Sequence, residues 1–283
     1  MIPAEFDYTA PTTVEEALAA LAGSDDAKVI AGGQSLLPVL RMRLNAPEVV
    51  VDIGRIDSLR GIREDGDSIV VGATTTYQQI LDDPLVHEHL ALLGKATETV
   101  ADPQIRHRGT LGGALSHADP AGDLGAPALA LDATMVITGS GGEREVAAAD
   151  FFTGLFETAV GDDELLTAIR FPKHTGWGAH YEKFVRVSHQ WSIVAVAATV
   201  KADGGTISEA KIGLTNMGDR PLRAPSVESA LVGAAATDEA VRAAATSAAD
   251  GTNPPSDLNG DADYRRSIVP VLTRRAVLAA AGA

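Results

Sequence analysis

The chain contains no cysteine in 283 residues. Disulfides, thiolate metal sites and iron–sulfur ligands are therefore excluded for it, and any redox cofactor it holds is bound by other atoms. Positive charge is scarce: 23 Lys and Arg face 38 Asp and Glu, a formal net charge of −15. Binding to nucleic-acid backbones is driven by clustered Lys and Arg, so no nucleic-acid partner is expected. No apolar run approaches the roughly 18–20 residues a membrane span needs. The opening Met-Ile-Pro-Ala-Glu-Phe-Asp-Tyr lacks the basic and apolar segments of a signal peptide, and the expectation is a cytoplasmic protein. Familiar site signatures are missing too. There is no G-x-G-x-x-G and no G-x-x-x-x-G-K-[ST], and Ser35 lacks the second glycine of a nucleophile elbow. Among the seven histidines, only His87-x-His89 comes near metal-ligand spacing, and in a polar stretch it reads as two solvated side chains.

What is present is an ordinary globular composition, 45% apolar and 22% charged, with two unusual stretches. Arg106–Asp123 carries Gly109, Gly112, Gly113 and Gly122 among small hydroxyl and carboxylate residues, with little bulk from which to build a core. Ala31-Gly32-Gly33-Gln34-Ser35-Leu36-Leu37-Pro38 has the same character and follows the short extended segment Lys28–Ile30. Glycine lets backbone approach a ligand closely, and successive free N–H groups in such loops make anion-binding concavities. Hydroxyls at Ser35, Thr110 and Ser116 add further partners for phosphate or ribose. Asp119 and Asp123 can accept from ribose or, for Asp123 equally, cap a helix. Two such loops predict one elongated, phosphate-bearing ligand held from two sides.

Read in order, residues 1–55 alternate strand and helix. Thr13 with Glu16 has the form of a capping box before a helical stretch ending at Gly23, and Leu36–Leu44 and Val49–Ile53 predict a helix and a buried strand. From 56 to 175 the texture changes. A hairpin turns at Asp65-Gly66-Asp67, a helix over Tyr77–Leu81 is capped from Thr74–Thr76, and Pro84–Val100 is helical. The central glycine-rich loop, a helical Ala126–Leu131 and strands at Thr134–Thr138 and Glu164–Phe171 follow. Residues 176–283 predict three antiparallel strands, His180–Val187, Ile193–Val200 and Ile207–Leu214. Ala-rich helices over Val227–Leu231, Glu239–Ala249 and Val269–Ala281 complete this part.

The two loop motifs together resemble the flavin signatures of the medium, FAD-binding subunits of molybdenum hydroxylases, the carbon monoxide dehydrogenase and xanthine dehydrogenase family. The resemblance extends to Tyr181-Glu182-Lys183-Phe184, Gln190–Val194, Tyr264-Arg265-Arg266 and Leu272–Ala276, and so spans the whole chain. It implies an α+β fold: a two-part FAD-binding α/β domain like that of vanillyl-alcohol oxidase, then an antiparallel sheet with helices. It also implies FAD between the first two parts. Lys28, Ala31, Gly32, Gly33, Gln34, Ser35 and Leu36 would form one wall, and Ile105, Thr110, Gly112, Gly113, Ala114, Ser116, Ala118, Asp119 and Asp123 the other. Thr74 and Thr75 match a further contact segment, and Lys183 and Trp191 match positions near the isoalloxazine ring. The sequence departs from the family pattern at Ala114, where Asn is usual, and at Gln34, where several members have His. Neither change removes a backbone donor.

By the same resemblance this chain is an oxidoreductase subunit without catalytic or metal-binding residues of its own. A large subunit would carry the molybdenum cofactor and a small one two [2Fe-2S] clusters, in a dimer of heterotrimers. FAD would collect their electrons for an external acceptor. Carbon monoxide dehydrogenase is the first expectation, with N-heterocycle or purine dehydrogenases and a stand-alone flavin oxidoreductase as alternatives. Docking of the complex on the inner face of the membrane is left open.

Overall fold

The computed structural model describes residues 2–283. The first part is a βαβαβ unit: β1 (Asp7–Thr9), α1 (Val14–Ala22), β2 (Ala27–Ile30), α2 (Leu36–Arg41) and β3 (Val49–Asp52), with parallel strands in the order β1-β3-β2. The Thr13 hydroxyl caps α1 by accepting from the Glu16 N–H at 3.2 Å, while the Glu16 carboxylate reaches back to the N–H of Thr12, one residue earlier than in a standard capping box. Ala17 and Leu21 bury this helix on the sheet against Val51, Ile53 and Ile56. Helix α2 is shorter than expected and stops at Arg41, since Arg43 turns the backbone left-handed at φ 56°.

The second part is built on a five-stranded antiparallel sheet. Strands β4 (Ile62–Asp65) and β5 (Ser68–Gly72) form the hairpin, with Asp65 paired to Ser68 across Gly66 at φ +59°. Helices α3 (Tyr77–Asp82), α4 (Pro84–His89), α5 (Ala91–Glu98), α6 (Pro103–Arg106), α7 (Leu111–His117) and α8 (Gly125–Ala130) follow. Next come β6 (Thr134–Gly139), β7 (Gly142–Ala147), α9 (Ala148–Phe151), the small hairpin β8 (Phe152–Gly154) and β9 (Glu157–Thr158), and β10 (Leu165–Pro172). The sheet order is β4-β5-β10-β6-β7. Two expectations change here. The stretch Pro84–Val100 is two helices, because Leu90 leaves helical geometry at φ −130°, ψ 43°, which lets Val86 and Leu93 reach one core. His89, expected in solvent, is buried there, and its Nδ1 lies 2.7 Å from the Thr175 hydroxyl.

The glycine-rich stretch is also not a loop throughout: Leu111–His117 is helical. Glycine disfavours helix, but Leu111 and Leu115 are fully buried four residues apart, and the Thr110 hydroxyl caps the helix by accepting from the Gly113 N–H at 3.2 Å. Tertiary packing overrides propensity.

The third part comprises β11 (Gly178–Phe184), β12 (Val194–Asp203), β13 (Thr206–Thr215), β14 (Leu222–Arg223), α10 (Pro225–Leu231), α11 (Asp238–Ala245) and α12 (Ala262–Ala281). The sheet has four strands, not three: the two-residue β14 pairs with Gly213 and Leu214, and is too short to show any alternation in sequence. Strand β12 divides its faces by period two. Ala195 and Ala197 face the core of the second part, while Val194, Val196, Ala198 and Val200 pack under the terminal helices. Small residues on the first face let the two parts close tightly. Helix α12 begins at Ala262 rather than Val269, capped by the Asp261 carboxylate on the Tyr264 N–H at 2.7 Å.

Candidate functional site

A cleft of about 660 Å³ opens between the first and second parts. One wall is the turn from β2 into α2. The other is the start of α7, and the floor includes Ala73, Tyr77, Leu165 and Leu166. Twelve of the sequence-derived residues line it: Lys28, Ala31, Gly32, Gly33, Gln34, Ser35, Leu36, Thr110, Gly112, Gly113, Ala114 and Ser116.

The walls differ chemically. In the first, the N–H groups of Gly32, Gly33, Gln34, Ser35 and Leu36 find no acceptor among the described residues. The first bond of this turn is from the Leu37 N–H to the Gly33 carbonyl at 3.1 Å. Gly33 supplies the left-handed conformation the turn needs, at φ +76°. Successive unpaired donors form a cradle for an anion. In the second wall the donors are committed internally. Leu111 N–H donates to Thr75, Gly112 N–H to Ala73 and Ala114 N–H to Thr110, all through backbone carbonyls. Sequence reasoning gave both stretches a donor role; the structure gives it to the first and makes the second a close-packed wall.

Gly32 and Gly112 are held by close approach of another segment of the chain. A Cβ on Gly32 would lie 2.2 Å from the Arg108 carbonyl oxygen, and one on Gly112 would lie 2.5 Å from the Ala73 Cβ. Gly113 is more open: its Cβ would meet the Thr110 hydroxyl at 2.7 Å and otherwise face the cleft.

The other sequence-derived residues lie elsewhere. Thr74 and Thr75 are buried, and their hydroxyls donate to the Leu59 and Gly61 carbonyls at 2.9 and 3.1 Å, so they tie β5 to the turn before β4. Ile105 lies on α6. Ala118, at φ 51°, ends α7, and the Asp119 carboxylate accepts from the Ala121 N–H at 2.9 Å. Asp123 belongs to a buried cluster at the seam with the third part. It accepts from Lys183 Nζ at 2.7 Å, Tyr181 Oη at 2.9 Å and Ser192 Oγ at 3.1 Å. Burial pushes its carboxyl up, against the pull of Lys183 and of the two hydroxyls. Trp191 precedes Ser192 of this cluster in the chain and is 59% exposed. The cluster and cleft share a boundary at Tyr77, whose phenol is pushed up first by burial and then by the charge of Asp123.

Several lining residues lie outside the set derived from the sequence. Glu164 accepts from Arg144 Nε and Nη2 at 2.8 and 2.6 Å and from the Gly161 N–H at 2.8 Å, and these bonds hold its carboxyl at about 2. The His117 ring packs at a 46° tilt with its centroid 5.2 Å from that of Phe156, at the tip of the β8–β9 hairpin, and burial lowers its imidazole below the usual range. Asn45, Tyr77 and Val160 line the cleft too. Tyr77 follows a recognisable helix start and His117 ends α7; Asn45 comes from the loop after α2, and Phe156, Val160 and Glu164 from the β8–β9 hairpin and the turn into β10. Among the described residues no cluster of three or more His, Asp or Glu suits a metal ion, and no helix is long and apolar enough to cross a membrane.

A cleft with an anion cradle on one wall and a close-packed glycine wall facing it suits a dinucleotide flavoprotein. Comparison with known proteins gives the class its family. Residues 4–174 match the FAD binding domain in molybdopterin dehydrogenase, and residues 179–280 match the CO dehydrogenase flavoprotein C-terminal domain. The chain is 42% identical to the carbon monoxide dehydrogenase medium chain of Hydrogenophaga pseudoflava, over 99% of this chain and 98% of that one. It is 38% identical to the glyceraldehyde dehydrogenase medium chain of Sulfolobus acidocaldarius, over 98% of both. The solved carbon monoxide dehydrogenase from Hydrogenophaga pseudoflava superposes with a TM-score of 0.96 at 43% identity, covering 99% of this chain and 98% of that chain. The chain therefore belongs to the FAD-binding, medium subunits of the molybdenum hydroxylases. It is an oxidoreductase subunit with FAD as its cofactor.

Proposed function

We propose that this chain is the electron-transfer subunit of a molybdenum hydroxylase. The observation that carries the reading is the run of unpaired N–H groups from Gly32 to Leu36, facing the cleft opposite α7. A pyrophosphate suits that run. Lys28, Ala31, Gln34 and Ser35 would flank it, while Thr110, Gly112, Gly113, Ala114 and Ser116 would close on the ligand from α7. At the seam, Asp123, Lys183 and Trp191 would meet the ring end. Thr74, Thr75, Ile105, Ala118 and Asp119 shape these segments from behind. Bound FAD supplies one- and two-electron redox chemistry. This chain's residues bind and orient it, keep water from its buried end and fix the charges around it.

With no cysteine, the chain leaves iron–sulfur ligation to another subunit. We read its partners as a large molybdenum-cofactor subunit and a small subunit with two [2Fe-2S] clusters, assembled as a dimer of heterotrimers in the cytoplasm. An N-heterocycle or purine dehydrogenase is the alternative to carbon monoxide dehydrogenase; the latter is favoured by the 42% identity to a medium chain of that enzyme. The 38% identity to a glyceraldehyde dehydrogenase medium chain supports reading the substrate as chosen in another subunit.

The test is native purification with a visible spectrum and identification of the nucleotide released by acid. Released FAD with iron–sulfur absorbance from two companion chains supports the reading, and carbon monoxide, glyceraldehyde and N-heterocycles are then assayed with a dye acceptor. A colourless chain purifying alone and unable to take up FAD overturns it.

A further inference from the structure

The largest fully buried side chain in the protein is a cation, Arg265 of α12. A guanidinium loses its hydration on burial and persists there only where partners replace that hydration. Its Nη1 donates to the Ile193 carbonyl, and its Nη2 lies 2.7 Å from Asp257 Oδ1 without hydrogen-bond alignment. The Ile193 carbonyl is also held by Asn216, whose Nδ2 donates to it at 3.2 Å and to the Ser192 carbonyl at 2.8 Å. Asn216 reaches them from a left-handed backbone, φ 62°, and its own N–H donates to the Pro120 carbonyl at 2.8 Å. Two buried donors from different elements thus converge on two successive carbonyls. Those carbonyls end the exposed segment 186–191, which otherwise contacts the body through His189 Nδ1 and the Ala101 carbonyl. Ser192 is the hinge: its backbone is gripped by Asn216, its hydroxyl bonds Asp123, and the next residue outward is Trp191.

We propose that Arg265 and Asn216 are positioning residues that clamp Ser192 and Trp191 against the seam, so that the hydroxyl on Asp123 and the indole beside it stay fixed where the flavin ring is read to lie. The clamp works through backbone carbonyls and touches no ligand. Its consequence for the flavin rests on the function proposed above; the clamp itself does not.

The test therefore separates the two. In the full-length chain carrying Trp177→Phe, Trp191 is the sole tryptophan, and acrylamide quenching reports its freedom with or without FAD. Asn216→Gly keeps the left-handed backbone accessible and removes the amide; Arg265→Lys keeps the buried charge and loses the fork. Both are expected to raise the quenching constant of the FAD-free chain by about twofold, as a locally opened segment does. Both are expected to shift the flavin's midpoint potential and visible spectrum in the loaded complex, with Arg265→Lys the milder. Arg265→Met serves only as the severe case, since it strips a charge from the core. Unchanged quenching in both mild variants, with nothing but a lowered thermal midpoint, overturns the clamp and leaves Arg265 a fold-stabilising residue. Raised quenching with an unmoved potential confirms the clamp and removes the link to the ring.

Discussion

Asp123, on the segment leaving α7, and Lys183, on β11, form an ion pair of 2.7 Å with side chains only 5% and 9% exposed. The pair joins the second part of the molecule to the third, and Lys183 donates also to the Thr99 carbonyl at 3.1 Å, so it pins the end of α5 as well. Breaking a buried pair from one side leaves the other charge without partner or water. Asp123→Asn or Lys183→Met alone should cost about 3–5 kcal/mol. The double variant should cost less than the sum by roughly 1–3 kcal/mol. Urea unfolding of the four chains measures the cycle, and additive losses would mean that the two groups do not interact.

Gly32 is fixed by what its missing side chain would strike, the carbonyl of Arg108 at 2.2 Å. Gly32→Ala should push the β2–α2 turn away from α7, with a loss of about 1–3 kcal/mol and of flavin retention through gel filtration. Gly94→Ala is the control. It lies inside α5, its Cβ would meet only Val86 at an ordinary 3.6 Å, and helix propensity predicts a gain of about 0.5–1 kcal/mol. If both substitutions behave alike, the close approach is not what holds the wall.

Gly113 tests the cleft itself. Leucine there would displace the Thr110 hydroxyl from the α7 cap and fill space the ligand needs. The expected result is flavin absorbance lost from the purified chain with far-ultraviolet circular dichroism kept. Full flavin occupancy in Gly113→Leu would sink the assignment of this wall.

Much of this was legible in the sequence, for identifiable reasons. The βαβαβ opening and the Asp65–Ser68 hairpin follow from local periodicity and turn chemistry, which act over a few residues. Both cleft stretches were visible because close approach of one chain segment to another, Gly32 to Arg108 and Gly112 to Ala73, demands glycine. What was not legible depends on distant partners. Leu111–His117 is helical because Leu111 and Leu115 find a core elsewhere in the chain. Nothing local in Tyr264-Arg265-Arg266 marks Arg265 for burial, and only the fold buries it. Glu164 reaches the cleft because an antiparallel sheet sets it beside Arg144, twenty residues upstream.

That Glu164–Arg144 pair gives stability an acid limb whose direction can be worked out. Hydrogen bonds from Arg144 first, then the Gly161 N–H, hold the folded carboxyl at about 2, against 4.5 for an unconstrained glutamate. As pH falls below 4.5 the unfolded chain takes up this proton before the folded one does, so folding is progressively opposed. The contribution is therefore complete above pH 4.5 and disappears as pH approaches 2. Arg144 is 43% exposed, so water screens the interaction and the pair should contribute only about 1 kcal/mol. Glu164→Gln should be less stable than the parent by that amount at pH 6, and the gap should close between pH 4.5 and 2. Arg144→Met should show the same loss at pH 6, and in its background Glu164→Gln should change little. Arg144 also donates to the Ala159 carbonyl at 2.6 Å, holding the 159–164 turn at the cleft edge, so both variants should weaken flavin retention alongside stability. Thermal unfolding of the flavin-free chains across this pH range isolates the ion pair from the ligand. A parent–Gln gap that stays constant down to pH 2 would show that Glu164 is not held in its charged form by Arg144.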